Sequence, residues 1–167
     1  YSESMAIYRA IGDRRGIAFA SRNLGDIAYR RADYAEAATL YQASLALYRE
    51  IGARMEASLT LSRLGDVALA RQEEEAATLA LFDALRLARG VRSAPAMLAA
   101  LLGLAALAVQ QGDPARAATL LHAVLAHHDA SQEQRARAGQ LAALLPAEAD
   151  LSVPAHHVES LEHLVDD

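Results

Sequence analysis

A forty-residue repeat constrains this chain more than any other feature. Ile11-Gly12 returns as Ile51-Gly52, and Leu24-Gly25-Asp26 returns as Leu64-Gly65-Asp66, each forty residues later. Leu104-Ala105-Ala106 stands at the third copy, and Ala37, Ala77 and Ala117 fall at the same interval, as do Tyr41, Leu81 and Leu121. Tyr1 pairs with Tyr41 and Tyr8 with Tyr48 in the same register. A fixed period of this size means one supersecondary unit that cannot bury its apolar face alone and stacks on copies of itself.

Each unit reads as two helices. The first has helix A near Arg14–Arg31, a turn at Ala32-Asp33, and helix B near Tyr34–Glu50. The second runs near Arg54–Arg71 and Glu74–Arg89, the third near Ala94–Gln111 and Pro114–His128, and a further helix A near Gln132–Leu145. Asp33 with Glu36, and Ser131 with Gln134, have the spacing of a capping box, in which side chain and backbone exchange hydrogen bonds across the first turn. Gly52 suits the left-handed stop of a helix, and Gly112-Asp113-Pro114 supplies a stop, an N-cap and a first-turn proline in sequence. Gly25, Ala28 and Ala37 are small enough to let paired helices approach closely, with Leu24, Tyr41 and Leu45 filling the space around them.

Composition agrees. Hydrophobic residues make up 53% of the 167 residues but aromatics only 5%, so small and branched aliphatic side chains carry the core. Net charge is −5, and all sixteen basic residues are Arg. That balance argues against a nucleic-acid surface, which needs clustered cations to displace counterions, and against an anionic-membrane patch. With no cysteine, disulfides, thiolate catalysis and cysteine zinc sites are excluded. The most apolar stretch, Ala94 to Val109, contains Pro95 and Gly103 and falls short of the roughly 18 apolar residues of a membrane span. The absence of a signal peptide and of cysteine leads us to expect a cytoplasmic location. A start at Tyr1, already in helical pattern, reads as a piece of something longer.

These positions resemble the tetratricopeptide repeat. The family pattern is Leu-Gly in helix A, a small residue three later, Ala early in helix B, an aromatic four beyond and a small residue three further. The first unit gives Leu24-Gly25, Ala28, Ala37, Tyr41 and Ser44. The second gives Leu64-Gly65, Ala68, Ala77, Leu81 and Ala84, and the third Leu104-Ala105, Ala108, Ala117, Leu121 and Val124. The chain departs from the family in three ways. Ser21, Leu61 and Leu101 stand where a large aromatic is usual, Arg49, Arg89 and Asp129 where a proline is usual, and the period exceeds the commoner ~34. Repeats of this longer kind resemble those of polarity-adaptor proteins and, in Leu47–Gly52 and Gln110–Ala118, those of bacterial signalling ATPases and transcription regulators.

The resemblance implies an all-α, right-handed α-solenoid of antiparallel helix pairs. The expected array covers residues 1–145: a half-repeat at 1–11, repeats near 14–51, 54–91 and 94–129, and a helix at 132–145. A linker and C-terminal capping helix fill 146–167, with Val158, Leu161, Leu164 and Val165 forming one stripe. An alternative for that helix is the groove itself.

By the same resemblance the A helices line a concave face that binds a protein or peptide. Its positions are Phe19, Arg22, Asn23, Asp26, Tyr29 and Arg30 in the first unit, and Ser62, Arg63 and Asp66, flanked by Leu59 and Leu69, in the second. In the third, Ala99, Leu102, Gly103, Ala106, Val109 and Gln110 make the face apolar. Asn23 can hydrogen-bond a ligand backbone both ways, Arg22, Arg30 and Arg63 suit carboxylates, and Asp26 and Asp66 suit a basic residue. The simpler reading is that Arg22 with Asp26 and Arg63 with Asp66 are surface pairs one helical turn apart.

No phosphate loop, nucleophile elbow or His-Glu-x-x-His is present, so no catalytic residue, cofactor or metal is expected and the chain does not read as an enzyme. The six histidines fall late, at 122, 127, 128, 156, 157 and 163, where helix ends and surface account for them. Two further readings remain: a regulatory or sensor arm of a multidomain signalling ATPase or transcription regulator, and self-association through the N-terminal half-repeat around Met5, Ile7 and Tyr8.

Overall fold

The computed structural model describes residues 2–146; the C-terminal helix expected at 152–165, with His156, His157 and His163, lies outside the described residues. Among the described residues the chain is entirely helical and has no strand. In order the helices are α1 (Ser2–Ile11), α2 (Arg14–Arg30), α3 (Tyr34–Glu50), α4 (Arg54–Ala70), α5 (Glu74–Gly90), α6 (Ala94–Gln110), α7 (Pro114–Ala126) and α8 (Gln132–Ala142). Helices α2 to α6 each have 17 residues, and α2, α4 and α6 begin forty residues apart, as do α3, α5 and α7. Every helix packs on the next. The A-type helix α4 also touches α6, and α6 touches α8, whereas no comparable contact joins α3 to α5 or α5 to α7. From α4 to α8 the A side is therefore the closer side of an all-α helical-repeat solenoid.

One turn closes every joint as far as α7. A residue with positive φ recurs every twenty positions: Gly12, Ala32, Gly52, Gln72, Arg92 and Gly112, with φ between 51 and 72°. After each comes a backbone N–H that reaches five residues back, from Asp13 to Tyr8, Asp33 to Ala28, Ala53 to Tyr48, Glu73 to Ala68, Ser93 to Ala88 and Asp113 to Ala108, at 2.8–3.0 Å. This Schellman pairing satisfies carbonyls that the helix end leaves open. The same residue then starts the next helix, and Asp13, Asp33, Ser93 and Asp113 accept from an amide three residues on. Only half of the box expected at Asp33 forms: Asp33 Oδ1 accepts from the Glu36 amide at 3.1 Å, but the Asp33 N–H is already spent on Ala28. Ser131 has no such commitment, and its box with Gln134 is complete.

Two helices stop earlier than their periodicity predicts. Helix α7 ends at Ala126, not His128, because His127 turns extended at φ −74°, ψ 129°. The Arg135 guanidinium then collects the freed carbonyls of Leu125, His127 and Ala130 at 2.7–3.1 Å. Helix α8 ends at Ala142, not Leu145, and loosens into turns before Pro146, whose ring disfavours the helical conformation in the residue before it.

The seams follow the repeat. Gly25 lies against the Tyr41 ring, and a Cβ there would sit 2.7 Å from Tyr41 Cε1; Gly65 lies against Leu81 in the same way at 2.6 Å. Sequence alignment leaves the third unit without its glycine, but Gly103, two residues earlier, also lies against Leu81. Leu81 thus meets a glycine backbone on each of α4 and α6. A second link exchanges its parts between units. Ser44 Oγ donates to the Ala18 carbonyl at 2.8 Å, and at the equivalent positions Ser58 Oγ donates to the Ala84 carbonyl at 2.8 Å. The third unit has Leu98 and Val124 there, both fully buried. At the N-terminal end Met5 is buried and the Tyr8 ring lies against Gly16, so these two do not form the open face expected of them; Ile7 and Ile11 remain exposed.

Candidate functional site

The main cleft on the A side has a volume of about 320 Å³ and is walled by α2, α4, α6 and α8. Of the residues singled out from sequence, Arg22, Asp26, Ser62, Arg63 and Asp66 line it, with Leu59, Ala99 and Leu102 as apolar surface. Phe19 stands beside it, its ring 5.7 Å beneath the Arg22 guanidinium. Asn23, Tyr29 and Arg30 do not line it. Asn23 turns its Nδ2 into a buried position with no acceptor among the described residues, Tyr29 packs on Tyr34 with ring centres 5.6 Å apart, and Arg30 is exposed. In the third unit Gln110 is committed as well, its amide donating to the Leu69 carbonyl at the end of α4 at 3.1 Å.

The charges form a chain of alternating sign across the floor. Tyr41 donates its hydroxyl to Asp26 at 2.7 Å. Arg63 reaches Asp26 at 3.4 Å and Asp66 at 3.6 Å. Arg137, on α8, grips Asp66 with both terminal nitrogens, at 3.0 and 2.5 Å. Two expectations are corrected here. Arg22 does not pair with Asp26 one turn away, because Asp26 already holds the Tyr41 hydroxyl and faces Arg63. Asp66 is not open to a partner's basic residue: it is 5% exposed and answered from within the chain.

The source of Arg137's role lies in the repeat. Tyr41, the residue that satisfies Asp26, is replaced forty residues later by Leu81, which has no hydroxyl. A carboxylate left buried without a donor would cost several kcal/mol. Asp66 obtains its donors from α8 instead, where Arg137 shares the cleft with it. Sequence reasoning missed Arg137 because the contact spans 71 residues and obeys no helical spacing.

Titration behaviour agrees with this geometry. Burial and then the hydrogen bond to Asp26 push the Tyr41 phenol well above its ordinary range. Burial likewise raises Tyr29, with the Asp66 charge adding to it. For Arg137, burial pulls downward, but the Asp66 charge and hydrogen bonds outweigh it, and the guanidinium is held above its usual value.

A different cluster bears on metals. His127, His128 and Asp129 bring three ligand atoms within 4.8 Å of one another. The two imidazoles are stacked, 4.8 Å between centres and 13° from parallel, so no point lies in both ring planes where lone pairs could converge. His127 Nδ1 also accepts from the Asp129 amide at 3.1 Å. This arrangement closes the end of α7 and does not form a binding centre. Among the described residues no helix is long and apolar enough to cross a membrane.

Residues 1–50 match the family model of the tetratricopeptide repeat, so the chain carries tetratricopeptide repeat sequence in the stretch formed by α1 to α3. No curated protein and no solved structure matches the chain.

Proposed function

We propose that this chain is a protein-binding repeat scaffold that takes an extended peptide segment along the cleft between α2, α4, α6 and α8. Tetratricopeptide repeats generally mediate protein–protein interactions, and the matched segment includes α2, one wall of the cleft. The observation that carries the reading is the make-up of the cleft: half-buried Arg22 and Arg63 and buried Ser62 around an apolar floor of Leu59, Ala99 and Leu102. A small number of polar groups placed around apolar surface is the pattern of a ligand site, since the apolar part supplies affinity and the polar groups fix orientation. Two other depressions are of similar volume, about 310 and 380 Å³, but one is lined by α5 alone and the other by α3, α4 and α5, whereas this cleft draws on four helices.

The test is selection of peptides from a random twelve-residue display library, followed by competition with two variants. Ala99→Trp fills the cleft; Leu79→Trp adds the same bulk on α5, where Leu79 is already 65% exposed. Selected peptides are expected to bind the wild type and Leu79→Trp alike and to lose Ala99→Trp, with circular dichroism showing both variants folded. Peptides that bind Ala99→Trp undiminished would overturn the reading.

A further inference from the structure

We infer that the cleft is electrically bipolar and selects a segment with an acidic residue at one end, an apolar middle and a basic residue at the other. This rests on the proposed peptide cleft and deepens it. The ion pairs decide which charges remain for a ligand. At the α2 end two cations, Arg22 and Arg63, line the cleft with one carboxylate, Asp26, which accepts from Tyr41 and lies 3.4 Å from Arg63; Arg63 also lies 3.6 Å from Asp66. Among the described residues no carboxylate forms a salt bridge with Arg22; its guanidinium lies over the Phe19 ring, and the half-buried side chain lines the cleft.

The centre is neutral. Asp66 and Arg137 close on each other with two hydrogen bonds, beside Leu59, Ala99 and Leu102. At the α8 end the sign reverses. Glu133, exposed in the first turn of α8, makes no salt bridge among the described residues and acts on Arg137 only through its charge. Asp129 beside it faces His128 at 3.4 Å, so the one further cation here is Arg135, which is spent on the carbonyls of Leu125, His127 and Ala130. The unspent charges are therefore positive beside α2 and negative beside α8.

Arg137 sets this pattern. It neutralises the one carboxylate that would otherwise put negative charge in the middle, and so separates the two poles. Adjacent helices pack 8–10 Å apart, and the curvature that lets Arg137 reach Asp66 shortens three such steps to roughly 15–20 Å. An extended segment covers that span with about five or six residues. The occupant is a protein segment, because a small anion would satisfy the α2 end alone and leave the opposite pole unanswered.

Synthetic octapeptides test this. Two bipolar ones carry two aspartates, four alanine or leucine residues and two arginines, written in both chain directions, since an extended backbone can lie either way. The comparison peptide has the same composition with the charges alternating along its length. One bipolar peptide is expected to bind roughly five- to tenfold tighter than the alternating isomer, the scale of two partly screened ion pairs. The advantage shrinks in 0.5 M salt, a strength at which the Debye length falls to about 4 Å. Arg22→Glu removes it, and replacing the peptide's aspartates with arginines restores binding to Arg22→Glu. Arg22 and Glu133 make no fold-critical contact, so Arg22→Glu and Glu133→Arg are expected to stay folded.

Equal affinity for bipolar and alternating peptides, or no change in either variant, overturns the bipolar assignment. Failure of all the octapeptides to bind overturns it as well. The cleft itself is judged separately, by whether library-selected peptides lose Ala99→Trp. Selected peptides that depend on the cleft but lack the acidic–apolar–basic order would leave the cleft standing and sink the charge pattern.

Discussion

Replacing Gly65 by alanine should destabilise this protein, although alanine is the better helix former. At an open helical site the exchange gains about 1 kcal/mol, because glycine carries more backbone freedom into the unfolded state. Gly139, in the middle of α8, is such a site: an added Cβ meets nothing within 4 Å. At Gly65 the Cβ would arrive 2.6 Å from both Cγ and Cδ2 of Leu81. Leu81 has little room to retreat, since it is fully buried and its Cδ2 also lies close against Gly103. Overpacking of this kind costs about 1–3 kcal/mol. After the propensity gain, Gly65→Ala lands at roughly 0–2 kcal/mol less stable than wild type, and Gly139→Ala about 1 kcal/mol more stable. The two variants should differ in melting temperature by roughly 3–10 °C, read from the helical signal at 222 nm on heating. Leu81→Ala alone should cost about 2–5 kcal/mol, and less when Gly65→Ala is already present, because the added methyl then fills part of the hole. A Gly65→Ala protein that melts above wild type would refute the account, since it would mean the seam has slack the packing denies.

Two other outcomes follow from the turns and the ion chain. Arg92 holds φ at 51° in the position that Gly12 and Gly52 occupy in the preceding units, and left-handed backbone costs a side-chain-bearing residue about 1–2 kcal/mol. Arg92→Gly should therefore raise stability by roughly 0.5–1 kcal/mol after the entropy of glycine is deducted, and an urea midpoint at or below wild type would count against it. Arg137→Gln should cost about 1–3 kcal/mol, less than a fully buried pair because the arginine is about a third exposed. Hydrogen exchange should locate that loss in α8, and unchanged protection there would show the Asp66 contact to be dispensable.

Much of the fold was legible because a solenoid repeats its physics at short range. The helix starts at Arg14, Arg54 and Ala94 follow from capping residues, glycine stops and the small-residue seam, all of which sit within one unit. What escaped was chemistry that the same geometry accepts in another residue type. The left-handed turn recurs every twenty residues, but at Ala32, Gln72 and Arg92 no glycine announces it. The Schellman hydrogen bonds hold the backbone there regardless of side chain. In the same way the buried serine link moves from Ser44 to Ser58, because either helix can supply the hydroxyl once the partner offers a carbonyl. Gly103 escaped since it serves the neighbouring seam and not its own.

The cleft was legible by position and illegible by pairing, and the difference has a physical source. A helix fixes which residues share a face, so Arg22, Asp26, Arg63 and Asp66 follow from periodicity. Which charge meets which depends on donors that arrive from other units. One substitution, Tyr41 in the first unit to Leu81 in the second, removes a hydroxyl from Asp66, and a carboxylate only 5% exposed must then find another donor. The donor it finds, Arg137, stands on α8, which packs on the apolar helix α6. The third unit, which looks featureless as sequence, thus carries the helix that completes the cleft. If that is right, Arg137→Gln should do more than loosen α8: it should leave Asp66 with Arg63 alone at 3.6 Å and bring the centre of the cleft toward the same sign as its α8 end.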